Sequence, residues 1–151
     1  MSSDYPPNES GAREIATSRL IDFTPAQVFG AISDPVRLAR WWGPKGFTNS
    51  FALFEFRPGG RWQFTMHGPD GKAYPNESEF VEVSPSRRVV VKHRNPPHFI
   101  LTISLTGEIG KTRVEWHMLF ESAEECERVK KYAAGANEEN LDRLEAELGR
   151  A

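Results

Sequence analysis

From Glu121 to Gly149 the chain carries no proline, and Cys126, Val129, Ala133, Ala136, Asn137, Asn140, Leu141, Leu144 and Leu148 recur with a helical period. Glutamate, lysine and arginine fill the other faces. Such a stretch reads as one amphipathic helix of about 25 residues, whose single apolar stripe must be covered by something else. What precedes it supplies mostly strands. In 61–67, Trp62, Phe64 and Met66 alternate with Arg61, Gln63, Thr65 and His67. In 112–120, Val114, Trp116, Met118 and Phe120 oppose Arg113, Glu115 and His117. Alternation of this kind marks strands with one buried face.

Breaks at Pro58-Gly59-Gly60, Gly68-Pro69-Asp70-Gly71, Ser84-Pro85-Ser86, Asn95-Pro96-Pro97 and Gly107–Lys111 divide residues 47–120 into about six strands. Another strand, Arg13 to Phe23, comes first. Thr24-Pro25-Ala26-Gln27 is a capping box that opens a short helix. Asp34-Pro35 opens a second, which ends at Gly43. The expected class is therefore α+β: a curved antiparallel sheet of six to seven strands wrapped around a long C-terminal helix, with two short helices after the first strand. Space between sheet and helix is a natural ligand cavity.

At 151 residues, one domain is expected over 13–149, with the polar, proline-bearing residues 1–12 as a disordered tail. The net charge of -2 gives no basic excess for nucleic acid. No apolar run reaches membrane-spanning length, and the N-terminus lacks signal-peptide features, so the expected location is cytoplasmic. A single cysteine, Cys126, excludes an internal disulfide and reads as a buried, inert thiol.

The segments Thr24-Pro25, Val28-Phe29, Asp34-Pro35, Trp41-Trp42-Gly43-Pro44, Arg57-Pro58-Gly59-Gly60 and Met66-His67-Gly68-Pro69-Asp70-Gly71 resemble the family related to the activator of heat-shock-chaperone ATPase. That family lies in the START-like, birch-pollen-allergen-like superfamily. The resemblance covers about residues 13–149 and implies a helix-grip fold. Bacterial-type members often carry Gly-Trp in the final helix, where this chain has Gly135-Ala136. Loss of that indole implies a larger void, or one refilled by Trp62 or Trp116.

Trp62, Phe64, Met66, Trp116 and Met118 are the expected cavity wall from the strands. Val129, Ala133, Asn137 and Asn140 are the expected wall from the helix. The two asparagines either anchor a polar ligand group or sit at the edge of the stripe in water. Trp41 and Trp42 plug the gap between short helix and sheet, or gate an entrance; the plug is favoured. Glu77 and Glu79 share one strand face. If the hairpin closes symmetrically over Gly68–Gly71, Glu77 lies opposite Trp62, and a carboxylate among aromatic rings suits acid–base work. Glu77 and Glu79 are thus the weak catalytic candidates, and Glu79 a further pocket residue. His67, His93, His98 and His117 lack metal-ligand spacing, and His67 and His117 oppose the apolar faces, so neither metal nor cofactor is expected.

The leading expectation is binding of a small hydrophobic or amphipathic molecule, without assigned catalysis. An enzyme of the cyclase, dehydratase or hydrolase type that uses a pocket carboxylate is the alternative. A co-chaperone-like interaction module ranks last, because the co-chaperone acts through an additional domain for which this chain has no length, and chaperone binding is not expected. A homodimer through exposed aromatic residues near Trp41 stays open.

Overall fold

The alternating segments become a seven-stranded antiparallel sheet, and the proline-free stretch becomes one helix, in a computed structural model that describes residues 12–150. The tail reading falls outside the described residues except at Ala12. In chain order the elements are β1 (Glu14–Ile21), α1 (Pro25–Ser33), α2 (Pro35–Trp41), β2 (Thr48–Phe54), β3 (Arg61–His67), β4 (Ala73–Ser84), β5 (Arg88–His93), β6 (Phe99–Glu108), β7 (Lys111–Phe120) and α3 (Ala123–Leu148). Across the sheet the order is β1-β7-β6-β5-β4-β3-β2. The two short helices therefore carry the chain from one edge strand to the other, and the sheet stays open. Bulges at Phe51/Leu53 and Phe80/Glu82 interrupt the ladders where the sheet curves.

Both short helices begin as their caps dictate. Thr24 Oγ1 accepts from the Gln27 backbone N–H at 3.2 Å, and Gln27 Oε1 accepts from the Thr24 N–H at 2.8 Å. Asp34 accepts from the Val36 N–H at 2.9 Å. The residue after the second helix's cap must be glycine: Gly43 has φ +96°, and a Cβ there would lie 2.7 Å from Met66 Cε.

The long helix packs against β1, β7, α1 and α2. Inward positions of β1 are partly polar because they meet the charged edge of α3: Arg19 bonds Glu138, Asp142 and Glu145 at 2.7–2.8 Å. The apolar interior forms two clusters. One joins α1, α2, the sheet centre and Leu141, Leu144 and Leu148; the other joins Ile15, Phe120, Cys126 and Ala133. Phe99 and Met118 touch both. Among the described residues no helix is long and apolar enough to cross a membrane.

Two predictions arise here. Gly135 lies exposed within α3, and an added Cβ would meet nothing within 4 Å. Gly135→Ala should raise unfolding free energy by about 0.5–1 kcal/mol, read by urea denaturation. At the end of α3, buried Glu147 accepts from Arg40 Nε at 3.0 Å, Arg40 Nη2 at 2.8 Å and Arg37 Nε at 3.0 Å. The bonds from Arg40, then those from Arg37, outweigh burial and hold its carboxyl below the usual carboxylate range. A depressed carboxylate contributes stability that is present above the unfolded-state pKa and lost as pH falls below it. Glu147→Gln should therefore melt earlier than the native protein at neutral pH, and that deficit should shrink as pH drops below about 4.3.

Candidate functional site

Between the two apolar clusters, α3 stands away from the sheet and leaves a cavity in two connected parts. An inner chamber of about 160 Å³ lies among Trp42, Trp62, Phe64, Leu101 and Trp116. An outer chamber of about 750 Å³ opens to solvent between α3, the β3–β4 hairpin and the 95–97 turn. Met66, His93, Phe99, Met118, Ala136 and Asn137 line both. No lysine, arginine, aspartate or glutamate among the described residues lines either chamber.

The aromatic wall is held from two sides. Trp42 packs at 5.0 Å on Trp62 and 5.5 Å on Trp116 (centroid distances). Trp41 sits behind it, buried, and donates from Nε1 to the Ala31 carbonyl at 2.9 Å. The two tryptophans thus divide the expected roles: Trp41 plugs the helix–sheet gap, and Trp42 forms chamber wall. Trp41 is buried and Trp42 half-buried in the chamber wall, so neither is itself an exposed aromatic residue.

Two asparagines of α3 reach the cavity with different duties. Asn140 is committed on both amide atoms. Its Oδ1 accepts from the Gly43 N–H at 3.2 Å, and its Nδ2 donates to the Trp41 carbonyl at 2.9 Å. It caps the end of α2 from across the cavity, a role neither sequence reading foresaw. Asn137 has only the Met118 sulfur, at 3.5 Å, as partner for its Nδ2. Sulfur is a weak acceptor, so this amide is available to a better one.

A model of the Activator of Hsp90 ATPase homolog 1-like protein family matches residues 22–149. The chain belongs to that family. Solved structures agree on the fold. A protein from Nitrosomonas europaea superimposes with TM-score 0.84 at 19% identity, over 93% of this chain and 96% of that one. One from Arthrobacter aurescens gives 0.85 at 22%, over 94% and 89%. The AHSA1 protein from Silicibacter pomeroyi gives 0.72 at 20%, over 90% and 97%. No curated protein matches.

In this family member, Trp62, Phe64, Met66, Trp116, Met118, Val129, Ala133, Asn137 and Asn140 all line one chamber or the other. Glu77 and Glu79 do not. β3 and β4 pair Trp62 with Ser78, Gln63 with Glu77 and Arg61 with Glu79. The hairpin closes over five residues, 68–72, with His67 opposite Ala73 and the Gly68 N–H donating to the Lys72 carbonyl. One extra loop residue moves the register by one and transfers both glutamates to the outer face. There Glu79 pairs with Arg94 at 3.1 Å and Glu77 with Arg61 at 3.6 Å.

The same shift brings Asn76 and Ser78 inside, beside a histidine that spacing alone did not single out. His93 is buried, stacks on Phe99, donates from Nδ1 to the Pro97 carbonyl at 2.7 Å and meets Asn76 through Nε2. Burial pushes its pKa down, and the hydrogen bond to the Pro97 carbonyl acts against that shift. Outside the cavity, His98, Glu121 and Glu125 gather three potential metal ligands within 4.8 Å. Glu125 accepts from the His98 N–H at 2.9 Å and Nδ1 at 3.1 Å, which accounts for the grouping as an anchor for the start of α3.

Proposed function

We propose that this protein binds one small hydrophobic or amphipathic molecule in the cavity between the sheet and α3, with no assigned catalysis. The observation that carries this reading is the cavity: an aromatic inner chamber continuous with a wider outer one, without a charged side chain among the described lining residues. Such a site favours apolar bodies and fixes them with a few polar groups, here Asn76, His93 and Asn137. The acid–base alternative rested on a carboxylate in the pocket. With Glu77 and Glu79 on the outer face, neither candidate carboxylate is among the lining residues, and no observation favours a chaperone contact. We also keep the cytoplasm as the location; Cys126, unpaired and buried, suits a reducing compartment.

Native mass spectrometry of freshly purified protein, followed by denaturing analysis of what is released, tests the reading. A discrete adduct of a few hundred daltons at most, lost on denaturation, is the expected result. Apo protein that also gives no thermal shift across a library of apolar compounds contradicts it.

A further inference from the structure

Asn137 lines both chambers and is only 9% exposed. Its Nδ2 reaches the Met118 sulfur at 3.5 Å, and among the described residues its Oδ1 has no hydrogen bond. Chemistry fixes the orientation of this amide. A thioether sulfur accepts and has no hydrogen to give, so the NH2 end faces Met118 and the carbonyl end stays free. That oxygen keeps surface that solvent can reach, unlike the Trp62 indole nitrogen, which is sealed in without a partner. A buried acceptor with nothing to accept from is costly, and native proteins leave few.

The neighbouring polar groups narrow what can enter. His93 bonds the Pro97 carbonyl and Asn76, Asn76 donates to the Tyr74 carbonyl, and Asn140 is committed on both amide atoms. Ser78 lines the inner chamber, is 4% exposed and has no hydrogen bond among the described residues. Its hydroxyl donates or accepts as the partner requires, so the Asn137 oxygen sets the choice. The inner volume, about 160 Å³, is close to the roughly 150 Å³ cavity known to take up benzene, so one ring fits. A ring held among the indole and phenyl walls leaves its substituent where the chambers meet, and Asn137 lines both. No lysine, arginine, aspartate or glutamate lines them, so a charged substituent would be buried uncompensated. A hydroxyl fits: its hydrogen goes to Asn137 Oδ1, and its oxygen accepts from Asn137 Nδ2 or from Ser78.

We propose that the cavity recognises a neutral hydroxyl compound with a ring-sized apolar body, whose O–H donates to Asn137 Oδ1. The proposal rests on the cavity being a binding site. It makes the donated hydrogen the recognition element, because a ketone, an ether or a hydrocarbon leaves the Asn137 oxygen unpaired.

The test uses probes of one shape: α-methylbenzyl alcohol, acetophenone, which accepts but cannot donate, isopropylbenzene, which does neither, and α-methylbenzylamine, whose ammonium donates with a charge. Each is titrated into the native protein and into Asn137→Leu, which keeps the size and removes the amide. Nuclear magnetic resonance follows the Asn137 Cγ and the Met66 and Met118 methyl groups. The alcohol should bind about three- to tenfold more tightly than acetophenone, the gain of one hydrogen bond. It should also move the Asn137 Cγ downfield. Asn137→Leu should erase that preference and leave isopropylbenzene bound no more weakly than before. Equal or tighter binding of acetophenone with an unmoved Cγ, while the methionine methyl groups still shift, overturns this proposal and leaves the binding reading standing. Tighter binding of the ammonium overturns the neutral ligand. Silent methyl groups with all four probes overturn both readings. Should Asn137→Leu fail to fold, the Cγ resonance of the native protein decides.

Discussion

Ala136→Trp should abolish uptake of acetophenone into the cavity while leaving the protein folded. Ala136 is half-buried on α3 and lines both chambers where they meet. An indole placed there competes for a space little larger than one ring. The helix loses only about half a kcal/mol in intrinsic propensity, and filling a void returns packing contacts. Apparent affinity should fall by about a hundredfold or more, the equivalent of about 2.7 kcal/mol, while the melting temperature stays within a few degrees of the native value. Calorimetric titration beside a thermal melt reads both. A folded variant that binds as the native protein does would place the ligand elsewhere.

Arg143→Met should produce the largest loss of stability outside the apolar core. The Arg143 guanidinium donates to five backbone carbonyls. Nη1 reaches Trp42 at 3.1 Å and Gly43 and Pro44 at 2.9 Å; Nη2 reaches Arg40 at 2.7 Å and Phe47 at 2.9 Å. These carbonyls belong to the end of α2 and the segment leading into β2, which carries Trp42, Gly43 and Pro44 to the chamber wall. Methionine keeps much of the stem and removes every donor. Part of the segment is exposed and can turn to water, so the expected cost is about 2–4 kcal/mol, or a fall in melting temperature of roughly 5–12 °C. Arg143→Lys should recover only part, because an ammonium offers three donors from a single point. A loss below about 0.5 kcal/mol for Arg143→Met would show that the guanidinium does not hold this segment.

These two residues mark where the sequence could be read and where it could not. Strand identity was legible because the alternation is local: β3 spans Arg61–His67, the segment whose alternation announced it. Helix starts were legible because Thr24 and Asp34 act on their own next turn. Register was not. A four-residue loop and a five-residue loop both suit Gly-Pro-Asp-Gly, yet they place Glu77 on opposite faces, and the candidate catalytic pair fell with that single residue. His93 was within reach, since Val89, Val91 and His93 share one parity on β5 and all three are buried. The duties of Asn140 and Arg143 were beyond it. Their helical spacing puts them near the inner stripe, but the backbone groups they hold lie about a hundred residues earlier in the chain.

The central claim is that the space between sheet and α3 is a binding site. Met66 on β3 and Met118 on β7 both line its two chambers. Carbon-13 labelling of the methionine methyl groups therefore places reporters inside the cavity. Titration with acetophenone should move both resonances together, saturably, with one dissociation constant, through the ring current of the entering molecule. Methyl resonances that stay fixed at millimolar acetophenone, in a protein that is folded by every other measure, would contradict the account.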